Sequence, residues 1–270
     1  MAEHQETNSS EAKQVEEKVP LRPPLIYEIV RRRGDEEMER PATSLWWSGV
    51  AAGLSISFSL LTQAILELYL PQAEWLKLVS SFGYSVGFLM VVLARQQLFT
   101  ETTITAVLPV MADFHLRNVG RMMRMWAIVW IANTAGTLFA AAFCSFTPVI
   151  SPELLATMLD VSSEMMGNSW PEMFFKAISA GFLIAGMVWL IPSAESAQFW
   201  VVTLMTYLIA VGSFVHIVAG SVEGFLLVMN GQLGLGAMLW DFVVPALLGN
   251  IIGGTALFAM LAHAQVMEEI

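Results

Sequence analysis

Two stretches of this sequence set ionisable and hydroxyl side chains inside apolar surroundings. Val91 to Val110 reads VVLARQQLFTETTITAVLPV and holds Arg95, Gln96, Gln97, Thr100, Glu101, Thr102 and Thr103 between two apolar flanks. Gly212 to Gly231 reads GSFVHIVAGSVEGFLLVMNG and carries His216 and Glu223. Histidine changes charge near neutral pH, so His216 could lend a proton to a passing weak-acid anion or donate a hydrogen bond to it. Glu101 and Glu223 stand between two roles, lining a path or serving as buried partners for Arg95 or backbone amides. Arg95 reads first as a structural clamp; facing a pore instead, it would concentrate anions.

These residues matter because of where they fall. The hydrophobic fraction is 56% and charged residues make up 13%, with a mean hydropathy of +0.63, the composition of a chain that lives in lipid. A charged group at mid-membrane depth costs roughly 2.5 to 3.5 kcal/mol even on lenient scales, so it is a functional candidate by default. Polar runs in an apolar span predict helices broken at mid-depth, which persist only where protein or water lines them. Gly212, Ser213, Gly220, Ser221 and Gly224 are expected to let the chain leave the helix at the second break.

Six segments approach the roughly 20 residues needed to cross the hydrocarbon core. They are Leu45 to Leu70, Lys77 to Val110 with the first break, Met122 to Phe146, Met173 to Ile191, Phe199 to Val228 with the second break, and Met238 to His263. The fold class is therefore all-α membrane protein with six transmembrane helices, the second and fifth broken. Residues 1–40 form a polar tail without the apolar core of a cleavable signal peptide, its first part expected to be disordered. Leu25, Ile26, Ile29 and Val30 before Arg31, Arg32 and Arg33 predict a short amphipathic helix at the membrane surface. Residues 41–265 form the transmembrane transporter domain. The loop after the third segment carries Pro148, Pro152, Glu153, Asp160 and Glu164.

Basic residues set the topology. Lys13, Lys18, Arg22, Arg31, Arg32, Arg33 and Arg40 in the tail and Arg117, Arg121 and Arg124 in the loop after the second segment share one side, against Lys77 and Lys176 on the other. Both termini are thus expected in the cytoplasm. The net charge of −10 reflects loops and tail and points to no partner, and the single cysteine, Cys144, excludes an intrachain disulfide.

The halves, about 45–146 and 173–263, repeat. Asn133-x-x-Gly136 recurs as Asn250-x-x-Gly253, an offset of 117 that carries Phe99 and Thr100 onto His216 and Ile217. Three spans per half make the copies inverted, and an inverted repeat with a broken helix in each half builds a site where half-helix ends meet at the midplane. Asn133, Gly136, Asn250, Gly253 and Gly254 read as packing devices at close helix contacts. Trp46, Trp47, Trp75, Trp170 and Trp240 fall near segment ends, as interface anchors do.

The run from Val86-Gly87 to Leu98-Phe99-Thr100, then Asn133-x-x-Gly136, Phe214-x-His216 and Gly249-Asn250-Ile251-Ile252-Gly253-Gly254 resembles the signature segments of the formate/nitrite transporter family. The resemblance spans about Leu45 to His263. The wording ARQQLFTETTITAVLPV with HIVAGSVE and a terminal AHAQ looks nearest to the YfdC-type inner-membrane branch. It implies an aquaporin-like protomer fold, a homo-pentamer in the cell inner membrane and passage of a small monovalent anion through each protomer. By the same resemblance His216 is the central histidine and Leu98 and Thr100 belong to the loop closing one side of the pore. Tyr84 and Ile209 stand where constriction phenylalanines are usual, and Phe99 and Phe214 flank the path. Departures are Gln97 and Val215 for acidic residues, Gly220 and Ala185 for asparagines, and Ser169 for a lysine, with Lys176 nearby but out of register. They remove groups that attract anions or tune the histidine.

Other readings have distinct signatures. A neutral-solute channel of the aquaporin class needs Asn-Pro-Ala motifs at both breaks, which are missing. A cation or proton pathway would use Glu101 and Glu223. A non-transporting membrane interaction protein would keep GNIIGG and NTAG without needing His216. No HExxH, GxSxG or GxxxxGK[ST] motif points to an enzyme, and no catalytic residue, metal ligand, cofactor or nucleic-acid partner is expected; membrane lipid is.

Overall fold

The computed structural model describes residues 20–269, and all regular structure among them is helical. The expected disorder of the first residues, with Lys13 and Lys18, lies outside the described residues.

Helix α1 (Pro23–Glu39) starts on two prolines, whose fixed φ and missing N–H suit a first turn. It is longer than the predicted surface helix and is seated on protein as well. Ile26, Tyr27, Val30, Gly34, Glu37 and Met38 are buried against protein, while Leu25 and Ile29 of the predicted membrane-facing set are exposed. Next come α2 (Ala42–Tyr69), α3 (Leu76–Leu93) and α4 (Phe99–Ala112). Ala106 separates two helical stretches of α4. Pro109 lacks the N–H that would reach the Thr105 carbonyl, so the ladder is interrupted there. Helix α1 uses the gap: a Cβ at Gly34 would collide with the Thr105 carbonyl oxygen, and Thr105 Oγ1 donates to Glu37 Oε2 at 2.9 Å.

Helix α5 (Leu116–Phe146) leads to α6 (Pro152–Met166), a helix where the sequence predicts a loop. Ser151 caps it by accepting from the Leu154 amide at 3.2 Å, Pro152 takes the first turn and Glu153 faces the positive helix end. Met158, Leu159 and Ser162 bury its inner face. Then follow α7 (Trp170–Leu190), opened by a Ser169–Glu172 capping box, α8 (Gln198–Val211), α9 (Ile217–Met229) and α10 (Leu235–Val266). Helix α10 winds as π-helix over Met238–Val243 and Gly253–Ala259.

Helices α2, α3, α5 and α10 and the stretch Trp170–Ser193 are long and apolar enough to cross a membrane, whereas α4, α8 and α9 are shorter apolar helices. The predicted second segment is the pair α3 and α4, and the predicted fifth is the pair α8 and α9. The chain leaves the helix over a shorter stretch than expected: helix resumes at Phe99, so Thr100 to Thr103 are helical. Gly220, Ser221 and Gly224 likewise lie inside α9. Their smallness serves packing: a Cβ at Gly220 would press on Phe242 and Met165, and one at Gly224 on Met238 and Met166.

Close backbone contacts hold the two halves in matching fashion. A Cβ at Gly53 would stand 2.9 Å from the Gly136 Cα, and one at Gly181 would stand 2.8 Å from the Asn250 Cα. Gly253 abuts the Ile178 carbonyl and Gly254 abuts Thr103, which brings α10 against α4.

Candidate functional site

The two breaks are copies of one backbone design. Arg95 has φ 52° and Ser213 has φ 51°, the only non-glycine residues with positive φ among those described. The Gln96 amide donates back to the Val91 carbonyl at 2.9 Å, and the Phe214 amide donates to that of Ile209 at 2.9 Å. Each half-helix is then capped by an asparagine from the last long helix of its half. Asn133 Oδ1 accepts from the Phe99 amide at 2.9 Å, while its Nδ2 donates to the carbonyls of Gly49 at 2.8 Å and Gln97 at 2.9 Å. Asn250 Oδ1 accepts from the Ile217 amide at 2.8 Å, and its Nδ2 donates to the carbonyls of Ala177 at 2.7 Å and Val215 at 2.9 Å. Both asparagines are fully buried, and each makes three hydrogen bonds that fix where a broken helix restarts.

This register corrects the expected one. The asparagines are 117 apart, but the breaks correspond at 118, since 213 − 95 = 118 and 217 − 99 = 118. His216 is therefore the counterpart of Leu98, and Thr100 of Val218. The second copy runs one residue shorter between break and asparagine.

Where the half-helices meet, Thr100 Oγ1 and His216 Nε2 lie 2.7 Å apart. His216 also caps α9, its Nδ1 accepting from the Ala219 amide at 3.2 Å. An Nδ1 that accepts carries no proton, so in this arrangement the ring is neutral and Nε2–H donates to Thr100. That leaves the Thr100 hydroxyl hydrogen free to point elsewhere. The edge-to-face contact of Phe88 with the His216 ring, centroids 5.0 Å apart, holds the imidazole from a third side. The amides of Thr100 and Val218, equivalent in the repeat, have no hydrogen-bond partner among the described residues. Each sits in the first turn of a helix, where N–H groups point outward along the axis.

His216, itself buried, lines a cavity of about 380 Å³. Tyr84, Ile209, Phe214 and Glu223 line it, and Lys77, Glu164 and Lys176 line it as well. Lys77 Nζ donates to Glu164 Oε1 at 3.0 Å and to Ser213 Oγ at 2.8 Å, tying α3 and α6 to the second break. The Lys176 ammonium donates to Asn168. Thus the two lysines expected on the side away from the tail share one vestibule.

Residues 24–264 match the family model described as formate/nitrite transporter. The chain belongs to this family. The inner membrane protein YfdC of Escherichia coli (strain K12) is 44% identical over 255 residues, 94% of this chain and 82% of that protein. The formate channel FocA of Haemophilus influenzae is 27% identical over 245 residues, 80% of this chain and 84% of that one. Among solved structures, an FNT family ion channel superposes with a TM-score of 0.78 at 18% identity, covering 89% of this chain and 98% of that chain. A pentameric formate channel with formate bound gives 0.72 at 17% identity, covering 84% and 98%. The fold is thus shared with both solved chains, nearly the whole length of which the likeness takes in.

Not every expected site residue reaches the vestibule of this family member. Tyr84, Ile209, Phe214 and His216 share it, and Thr100 joins through its bond to His216. Leu98 is buried at the N-cap of α4, and Phe99 turns into the core against Trp126, centroids 5.8 Å apart. Arg95 does not clamp Glu101. It is exposed at the turn, and forms no ion pair among the described residues. Glu101 is reached by Arg33 of α1 instead, at 3.5 Å, and Arg33 Nε bonds Glu37 at 2.8 Å. Glu101 Oε1 is buried without a partner. Sequence reading missed Phe88, although it follows Tyr84 by one helical turn. It also missed the capping role of the two asparagines, whose shared offset was the available signal.

Proposed function

We propose that the chain is a channel for small monovalent anions of weak acids, of the formate and nitrite class, and not an enzyme. In this reading it works as a homo-pentamer in the inner membrane with a pathway in each protomer. The pairs α3 with α4 and α8 with α9 each act as one span, giving six crossings and two cytoplasmic termini. Residues 41–265 are the transport domain and residues 1–40 its cytoplasmic tail.

The observation that carries the reading is the Thr100–His216 contact at the meeting point of two asparagine-capped half-helices. Two helix amino ends contribute roughly half a positive charge each, a field that favours an anion without a fixed cation to trap it. From the vestibule, an anion passes Lys77 and Lys176, sheds water at Tyr84, Ile209 and Phe214, and reaches the Thr100 hydroxyl and the amides of Thr100 and Val218. Neutral His216 fixes that hydroxyl as a donor toward the path, because Nε2–H already occupies its acceptor side. A proton passed to the anion through His216 is the finer part of the proposal.

One observation favours a second reading. Glu223 lines the same vestibule without a hydrogen bond from any described residue, and an ionised carboxylate there repels anions and attracts cations or protons. The deciding experiment is uptake into proteoliposomes of formate, nitrite, hydrosulfide, acetate, a neutral solute and a cation, with wild type and Glu223→Gln. Anion flux that is kept or raised in Glu223→Gln supports the anion channel; cation flux that Glu223→Gln abolishes replaces it with the cation pathway.

A further inference from the structure

On the tail side, away from the vestibule, a cleft of about 820 Å³ is lined by Met38, Glu39, Asp113, His115, Arg117, Asn118, Arg121 and Arg124. Its two acids are engaged: Glu39 pairs with Arg121 at 3.1 Å and Asp113 with His115 at 2.6 Å. Arg117 and Arg124 are exposed and form no ion pair among the described residues. They stand seven residues apart on α5, with Arg121 between them, so by helical rise they mark about 10 Å along one side of that helix.

The surroundings of the cleft are apolar. Phe114 and Leu116, which alternate along the chain with the cleft residues Asp113, His115 and Arg117, are 75% and 85% exposed. Beyond it the outward side of α5 shows Met123, Ile131, Leu138 and Phe139, all exposed. An exposed apolar run marks a membrane or subunit contact, and the free guanidinium groups beside it favour the boundary between hydrocarbon and anionic headgroups. We infer that the cleft formed by Arg117, Arg121, Arg124 and the Phe114–Leu116 stretch binds the phosphate of an anionic phospholipid, its acyl chains lying along α5. Arginine suits this site because its planar fork donates two parallel bonds to phosphate oxygens. The Glu39–Arg121 pair links the cleft to the end of α1, so a lipid held there also braces the tail helix.

The test uses the full chain, purified as its native oligomer in neutral detergent. Native mass spectrometry and thermal unfolding follow titration with dioleoyl phosphatidylglycerol, dioleoyl phosphatidylcholine and, separately, inorganic phosphate. Phosphatidylglycerol should be retained and should raise Tm, with phosphatidylcholine and phosphate doing neither. Arg117→Gln with Arg124→Gln should weaken phosphatidylglycerol binding by roughly 25-fold, about fivefold per arginine. Arg32→Gln, on the exposed side of α1, should leave it unchanged. Should the double glutamine variant fail to fold, Arg117→Lys with Arg124→Lys keeps the charge and loses the fork, and binding weakened by a smaller factor supports the site. Unchanged phosphatidylglycerol binding in the substituted proteins overturns the inference. So does stabilisation by inorganic phosphate equal to that by phosphatidylglycerol, which makes the cleft a free-phosphate site, or retention of phosphatidylcholine alike.

Discussion

Compared position by position, the two breaks share a backbone and differ in their chemistry. Both turn through a positive-φ residue, both return that residue's amide and the next one to the preceding helix, and both restart under a three-bond asparagine. At the cap position, though, the first break has Leu98 and the second His216; two residues on, the first has Thr100 and the second Val218. Each half therefore supplies one polar group that the other lacks, and the two meet in a single hydrogen bond. Their flanks differ too. The second break opens on the vestibule, while the helix after the first is covered on the tail side by α1 through Gly34, Glu37 and Arg33. The two breaks share a scaffold, and different residues at two register positions make the contact between them.

The largest way to break the symmetry is to remove a cap. Asn250→Ala orphans the Ile217 amide and two buried carbonyls, and Asn133→Ala does the same in the first half. Each should cost about 3–5 kcal/mol, at 1–3 kcal/mol per orphaned group with partial relief by water. Thermal or denaturant unfolding in detergent measures it, and two costs within about 1 kcal/mol of each other would confirm equal caps.

Gly181→Ala should come next, at about 1–3 kcal/mol, because its Cβ would overlap the Asn250 backbone and push α7 from α10. Gly53→Ala, against the Asn133 carbonyl, is its matched partner. A large difference between these two would show that one half is free to adjust where the other is not.

Smaller still is the turn. A β-branched residue is poorly tolerated at positive φ, so Arg95→Val should cost about 1–2 kcal/mol. Ser213→Val should cost more, since it also removes the acceptor for Lys77. Equal costs would mean that the Lys77 bond contributes nothing to holding the second break.

Much of this organisation was legible in the sequence, for physical reasons that also explain the gaps. Apolar segments of membrane length and the polar residues within them gave the order of helices, since lipid leaves few alternatives. His216 and Thr100 stood out because polar groups at that depth are costly. The offset of 117 found the asparagines but misplaced the breaks by one residue, because a one-residue difference in spacing between copies leaves no local trace. Arg95 was misjudged for want of the turn that swings it outward, and Arg33 was overlooked because it lies 68 residues from Glu101, with no periodicity linking them. Helix α6 was hidden by Pro148 and Pro152, which read as loop until the Ser151 cap shows Pro152 to be the first helical residue.

The smallest expected effect concerns the helix that covers the first half. Hydrogen bonding from Arg31 holds Glu28 down at about 2, against an opposing effect of burial, with Arg32 adding to the lowering. A carboxylate depressed in the folded state stabilises above its unfolded value, near about 4.3, and loses that contribution as pH falls through the folded value. The contribution of Glu28 should therefore be the same at pH 8 and pH 5, read as an equal difference in unfolding between wild type and Glu28→Gln at the two pH values. Exposed pairs of this kind are worth little, so Glu28→Gln should shift stability by less than about 1 kcal/mol.

Formate efflux from proteoliposomes carrying Thr100→Val, beside His216→Ala, tests the meeting of the two halves most directly. Valine keeps the shape of threonine and removes the hydroxyl to which His216 donates. Loss of that donor to a charged permeant should lower flux about 10- to 100-fold, corresponding to about 1.5–3 kcal/mol, with His216→Ala falling at least as far. Wild-type flux in Thr100→Val would mean that the anion does not pass the point where the half-helices meet.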